Sequence, residues 1–258
     1  MNIHPTAIID PRAKVPASCQ IGPYCVIGAG VELGENCRLL SHVTVEGPTT
    51  IGAENTFFPF SAIGTAPQDI TYKGEPTRLE IGHHNEIREY VTINRGTVKG
   101  GGVTRVGSHL LIMAYSHIGH DCVVGDHAML VNQATLAGHV TVEEWAVIGA
   151  MSAVHQFTRV GAHAYIGGGT IVTRDVLPFS MTSAERDASA YGVNKVGLER
   201  RGFSSERIAR IHHAFKTLLA SKLNTSQALE KLKSEADRGE DVDMLIRFIE
   251  TSERGIIK

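Results

Sequence analysis

Residues 117–139 read HIGHDCVVGDHAMLVNQATLAGH. Within this stretch Ile118, Val124, Leu130 and Leu136 fall on every sixth position. A period of six fits neither an amphipathic helix nor simple strand alternation. The beat continues outward in both directions. It runs from Ile3 through Ile9, Val15 and Ile21 to Ile63, returns at Ile81, Ile87 and Ile93, and runs again from Val106 to Val172. A second slot, four residues after each beat, takes small or modest side chains such as Ala7, Val43, Ser61, Ser116, Ala134 and Ala164. Glycine often follows the beat directly, as at Gly22, Gly52, Gly107 and Gly125. A short strand, a tight corner and another short strand make a parallel β-helix. The beat and the small slot both point into the prism. The breaks, 64–80 and 94–105, are external loops, and long loops on a rigid scaffold often wall a binding site.

The totals agree. Aromatics make up 6% of the 258 residues and glycine is frequent, with 27 copies, as suits thin repetitive β-structure. The net charge of −2 carries no field that would hold nucleic acid. No stretch approaches the roughly 20 apolar residues of a membrane span, and the first residues lack a signal-peptide pattern, so a cytoplasmic location is expected. The four cysteines, Cys19, Cys25, Cys37 and Cys122, all occupy the small inward slot. They read as small buried hydrophobes rather than as disulfides or metal ligands, because no C-x-x-C pair occurs. No cofactor and no resident metal are expected.

The repeat resembles that of the hexapeptide-repeat acyltransferases. That resemblance implies a mainly β fold: a left-handed parallel β-helix with three hexads per coil, usually assembled as a homotrimer. An 18-residue coil stacks residues 18 apart at about one strand spacing, ~4.8 Å. His120, Gly138 and Gln156 then form one column. Asp121, His139 and Phe157 form the next, with His155 beside Gln156. Polar side chains of several kinds thus converge on one corner around a glycine, where packing needs no imidazole. A histidine, an adjacent carboxylate and a free backbone N–H suit a general base, its orienting group and an oxyanion donor. No serine or cysteine nucleophile pairs with His120, which favours direct transfer to a bound hydroxyl or amine over a covalent intermediate. His109, His127 and His163, with Trp145, form a second column that reads as structural.

After Val172 the beat stops. The expected division is a β-helix over 1–176, a connector over 177–190 and a helical domain over 191–258. Ser204 caps a helix through Ile208, Ile211, Phe215, Leu218 and Leu219. Asn224 and Gln227 form a capping box for the next. The last helix covers 241–252, with Val242, Leu245, Ile246 and Ile249 inward. Helices placed after a solenoid can cover its open end. Seven basic residues face two acidic ones between 195 and 222. They read either as a solvated helix face or as a dock for an acidic partner or a phosphate.

Ordered motifs narrow the resemblance. QDITYKGEPTR, INRGT, GGG, HIGHDC, NQATLAGHV, AVHQF, IGAH and RRGF together cover almost the whole chain. In this order they resemble the UDP-N-acetylglucosamine acyltransferases of lipid A biosynthesis. Such enzymes move a (3R)-3-hydroxyacyl group from acyl carrier protein to the sugar 3-hydroxyl. By that resemblance His120 is the general base, Asp121 orients it and Gly138 supplies the oxyanion N–H. Gln68, Asp69, His117 and His139 contact substrate. His155, Gln156, Asn194, Arg200 and Arg201 contact the nucleotide or the acyl donor from a neighbouring subunit. Gly168, in YIGGGT, matches the side chain that limits acyl length. Its column runs Asn132, Ala150, Gly168, so the wall opens and longer chains, of roughly 12–14 carbons, should be preferred, at ~0.8 kcal/mol per methylene buried. One position departs from the family pattern: two residues after the Gln68–Asp69 pair, where a lysine is usual, stands Thr71, with Lys73 as the nearby cation that would substitute. Three alternatives stay open. The acceptor could be a 3-amino sugar analogue. The related N-acyltransferase of the same pathway, by contrast, carries an extra N-terminal uridine-binding domain, for which a beat beginning at residue 3 leaves no space. A γ-type carbonic anhydrase would place zinc on His117, His120 and His139. A purely structural solenoid would repeat one surface residue type rather than mix several.

Overall fold

The computed structural model describes residues 2–184 and 188–257. The beat builds three parallel sheets, one per face of a triangular prism. One face carries Leu111–Ile112, Met129–Leu130, Val147–Ile148 and Tyr165–Ile166. The second carries His117–Ile118, Thr135–Leu136, Ala153–Val154 and Ile171–Val172, and the third Val123–Val124, Thr141–Val142 and Arg159–Val160. Each of these strands ends on its beat residue. From Ile21 to Val172 every beat residue is buried, while Ile3, Ile9 and Val15, on the first coil, are half-buried. The small slot is also buried, from Cys19 to Thr170. All four cysteines are free and buried, as their slot predicts.

Register measures the loops. Leu111 pairs with Met129 and Met129 with Val147, 18 positions apart. Thr56 pairs with Glu86 and Glu86 with Leu111, at spacings of 30 and 25. The first insertion therefore preserves the six-residue phase, and the second shifts it by one. Both loops are narrower than the lapses in the beat. Strands Ala62–Thr65, Arg78–Ile81 and Val103–Val106 extend into them. Hydrogen bonds clamp the two loops together: Asn94 Nδ2 donates to Thr65 Oγ1 and the Ala66 carbonyl, and Arg95 donates to the Gly64 carbonyl and the Tyr72 hydroxyl.

The corners hold six of the chain's thirteen histidines. Among the described residues eighteen non-glycine residues have positive φ, and six of them are His. They form vertical columns at the corners. A left-handed residue costs an ordinary side chain roughly 1–2 kcal/mol, and Asn, Asp and His tolerate it best. Stacking of rings across coils offsets that cost: His84, His109 and His127 stack at 4.8 Å per step, and Trp145 lies 4.0 Å from His127. The expectation that corners need no imidazoles is thus corrected. Imidazole is a corner residue type here, and only its surroundings mark a site.

The connector expected over 177–190 is largely a hairpin. Ser180–Ala184 joins the first face in parallel with Tyr165–Ile166, and Ala188–Val193 returns antiparallel. Residues 185–187 of that connector lie outside the described residues. The first of these strands is concealed in the sequence because its inward side chains are polar: Ser180 and Thr182 are buried, and the Ser180 hydroxyl donates to the Leu177 carbonyl, whereas the second buries Ala190 and Val193. Helices α1 (Lys195–Arg200), α2 (Ser205–Phe215), α3 (Thr225–Ser234) and α4 (Gly239–Glu250) follow. Ser204 caps α2, and Asn224 with Gln227 forms the capping box of α3. Ile208, Ile211, Phe215, Leu232, Leu245 and Ile249 share a second core with Leu177 and Phe179, so the helices pack against the last coil.

Candidate active site

His120 follows the strand His117–Ile118 at the corner between the second and third faces. Its Nδ1 lies 2.8 Å from Asp121 Oδ2, which leaves Nε2 for a ligand. Asp121 sits at φ 60°, and its side chain is almost fully buried. A buried carboxylate needs donors, and residues from the second loop and the adjoining strand surround it. Thr97 N–H donates to Oδ1 at 2.7 Å, the Thr97 hydroxyl donates to Oδ2 at 2.6 Å, and Asp121's own N–H donates to Thr104 Oγ1 at 2.8 Å. A Cβ on Gly100 would lie 2.0 Å from the Asp121 carboxyl carbon, so that turn packs on the carboxylate only as glycine. None of Thr97, Gly100 or Thr104 was assigned a role from sequence. INRGT and GGG were legible as motifs, but loop length hid their contact with residue 121.

One coil further on, Gly138 packs against the His120 ring. A Cβ there would fall 2.5 Å from the ring. Among the described residues its N–H donates to no protein acceptor, so it is available to a ligand. His139 Nε2 lies 3.6 Å from Asp121 Oδ2, and its ring meets His120 edge-on at 5.1 Å and stacks on Phe157 at 4.4 Å. Burial, then the neighbouring His120, pushes the His117 imidazole below its ordinary pKa, and His117 Nδ1 contacts Thr92 Oγ1 at 2.7 Å. Burial likewise lowers His139, with Asp121 opposing. Both rings therefore favour the neutral form. In the first loop Asp69 accepts from the Thr71 N–H and hydroxyl, which hold its carboxyl below the usual range, with smaller help from His120 and Lys99. Gln68 is exposed beside it.

The other expected residues divide into two groups. His155 and Gln156 are exposed two coils beyond His120, with Arg254 Nη1 3.4 Å from His155 Nδ1. Asn194, Arg200 and Arg201 lie elsewhere. Asn194 caps α1 and donates to the His163 carbonyl, and Arg201 sits over Trp145. With Arg200 they rim a cavity of about 440 Å³ against Met129, Val147 and Tyr165 on the first face. That face lies opposite the His120 corner, so one chain does not bring the two groups together. Part of the tail's positive charge is also internally paired: Arg207 forms a two-pronged salt bridge with Asp241, and Lys195 lies 3.7 Å from Glu199.

A zinc site would draw on His120, Asp121 and His139, whose ligand atoms lie within 4.8 Å of one another. His117, named for that role in the sequence reading, is not in this set. Cys122 is no nucleophile: burial pushes its thiol up to about 12, and its Sγ donates to the Ala137 carbonyl.

Comparison with known proteins agrees with the geometry. The profile "Bacterial transferase hexapeptide (six repeats)" matches residues 1–34 and 104–138, which makes the class a hexapeptide-repeat transferase on a left-handed β-helix. The profile "Udp N-acetylglucosamine O-acyltransferase; Domain 2" matches residues 175–257. The acyl-[acyl-carrier-protein]–UDP-N-acetylglucosamine O-acyltransferase of Thermodesulfovibrio yellowstonii is 51% identical over 256 residues, spanning 99% of both chains. That of Herminiimonas arsenicoxydans is 48% identical over 260 residues, again 99% of both. The crystal structure of the Francisella novicida UDP-N-acetylglucosamine acyltransferase superposes with a TM-score of 0.96 at 42% identity, over 99% of this chain and 93% of that one. The chain belongs to the UDP-N-acetylglucosamine O-acyltransferase family. Among the described residues no helix is long and apolar enough to cross a membrane.

Proposed function

We propose that the chain transfers a (3R)-3-hydroxyacyl group from acyl carrier protein to the 3-hydroxyl of UDP-N-acetylglucosamine, the opening step of lipid A synthesis, in the cytoplasm. His120 Nε2 removes the proton of the 3-hydroxyl as the oxygen attacks the thioester carbonyl. Asp121 holds Nδ1–H and stabilises the imidazolium that forms. The Gly138 N–H meets the oxyanion of the tetrahedral intermediate. Collapse breaks the C–S bond, and His120 returns the proton to the departing thiolate of the carrier. Gln68, Asp69, His117 and His139 hold the sugar nucleotide.

The observation that carries this reading is the His120–Asp121 pair packed beneath the free N–H of Gly138. The position of Asn194, Arg200 and Arg201 on the face opposite that corner supports a homotrimer in which a neighbour's face, with His155 and Gln156, completes each site. The apolar cavity beneath the two arginines suits an acyl chain with a phosphorylated or acidic head. In this reading Gly168 bounds the chain. The test is turnover of UDP-N-acetylglucosamine with a panel of hydroxyacyl carrier proteins. His120→Ala should lower kcat by at least ~10²-fold in a protein that remains folded. Near-normal turnover by a folded His120→Ala protein refutes the assignment.

A further inference from the structure

The acid and imidazole groups of the His120 corner leave one requirement of a nucleotide-sugar site unmet, a cation for the diphosphate. Asp69 and Asp121 are carboxylates, and His117 and His139 favour the neutral form. Of the cations on the two loops, Arg95 is committed: its guanidinium donates to the Gly64 carbonyl and the Tyr72 hydroxyl and lies 3.7 Å from Glu46. Lys73 is tied through its backbone N–H to the Glu75 carboxylate, and among the described residues no side-chain bond draws its ammonium toward the corner.

Lys99 differs. It lies on the single turn Val98–Gly100, and the residue that opens this turn, Thr97, grips Asp121. Gly100, at the other end, packs on the same carboxylate. The backbone that carries Lys99 is therefore anchored at both sides to the partner of His120. Its side chain crosses to the first loop, where Nζ donates to Thr71 Oγ1 at 3.1 Å. Thr71 in turn donates to Asp69, whose carboxylate feels the charges of both His120 and Lys99. An ammonium has three N–H donors, and a neutral hydroxyl takes only one. Among the described residues no carboxylate lies within 4.0 Å of Lys99 Nζ.

We infer that Lys99, seated on Thr71, is the binding residue for the substrate's phosphate, the diphosphate of the sugar nucleotide. Lys73, the nearer residue in sequence, does not have this role. The inference rests on the activity proposed above. The same ammonium chemistry would also hold the phosphate of a carrier's prosthetic arm, and the kinetics separate the two sources. A hydrogen bond to a charged group is worth a factor of about 10–150 in affinity.

The experiment compares wild type, Lys99→Met, Lys73→Met and the exchange variant Thr71→Lys/Lys99→Thr, each checked for an unchanged thermal midpoint. Steady-state kinetics are run against each substrate, and UDP and uridine binding are measured by calorimetry. Lys99→Met should raise KM for UDP-N-acetylglucosamine about tenfold or more while KM for the acyl carrier substrate stays within twofold. The preference for UDP over uridine should shrink by a similar factor. Lys73→Met should change neither. The exchange variant should recover most of the loss, because it returns an ammonium to the same place. An unchanged KM and an unchanged UDP preference in Lys99→Met overturn the inference, as does a rise confined to the acyl carrier substrate. If wild type does not turn over the sugar nucleotide, the activity reading fails, while UDP binding still judges Lys99.

Discussion

Under the proposed mechanism, Gly138→Ala separates the positioning of His120 as general base from the supply of the oxyanion donor. The variant keeps the backbone N–H and adds one methyl group. That methyl would lie 2.5 Å from His120 Cε1 and 2.6 Å from Nε2. Carbon contacts are comfortable at about 3.5 Å and beyond, so the ring must retreat by about 1 Å. The backbone at 138 has no left-handed φ, so alanine is not strained there for its own sake. His120 is partly exposed and can swing outward. The displacement falls instead on the 2.8 Å bond between His120 Nδ1 and Asp121, and on the aim of Nε2. A misplacement of 1 Å at a reacting group costs about 10²-fold, or ~2.7 kcal/mol of transition-state stabilisation. We expect kcat to fall about 100-fold with both KM values within a few-fold and the thermal midpoint near that of wild type. The assay is steady-state acyl transfer with a hydroxyacyl carrier protein at saturating sugar nucleotide. If kcat stays within threefold of wild type, either the ring does not need its place beneath Gly138 or His120 is not the base. A crystal structure showing the ring unmoved would refute the steric argument directly.

Other outcomes follow from the same geometry. Thr97→Val removes the hydroxyl that holds Asp121 Oδ2 but keeps shape and backbone N–H. We expect about a tenfold loss in kcat at unchanged KM, restored by Thr97→Ser, and equal kcat in Thr97→Val would show that the hydroxyl is dispensable. His163 is buried in the corner stack, and burial, then Arg201, lowers its pKa from 6.5 to about 4. The folded state thus holds it neutral, and its contribution to stability is complete above pH 6.5 and lost as pH falls toward 4. Denaturation at pH 7 and pH 5 should show His163→Phe losing about 2 kcal/mol less than wild type on acidification, and an equal loss would refute this assignment. A Cβ at Gly168 would lie 3.2 Å from the Ala150 carbonyl oxygen and otherwise meet little, so Gly168→Met needs a shift of a few tenths of an ångström there. It should move donor preference from about 12–14 carbons toward shorter chains, and an unchanged donor profile would place the limit at another residue.

The six-residue beat was enough to assign the β-helix and the inward slots of all four cysteines, and with the three hexads per coil that the family resemblance implies it also stacked His120 under Gly138. The first two depend only on a local period, which is a property of sequence, and the third adds a coil of constant length. The helix caps at Ser204 and Asn224 were legible for the same reason, since a cap and its target lie three residues apart. Tertiary structure decided what crosses between coils with irregular spacing. Thr97 and Asp121 are 24 residues apart, and Lys99 and Thr71 are 28 apart. Two insertions of unequal length separate these residues from the regular stack, so no multiple of 18 connects them. The strand at Ser180–Ala184 is hidden in the sequence because hydroxyls, one of them bonded to the Leu177 carbonyl, line its buried side where the hydrophobic beat would have stood. The separation of Arg200 and Arg201 from the His120 corner is likewise tertiary. Sequence can name these residues, but only the closing of the prism puts them on opposite sides of one chain.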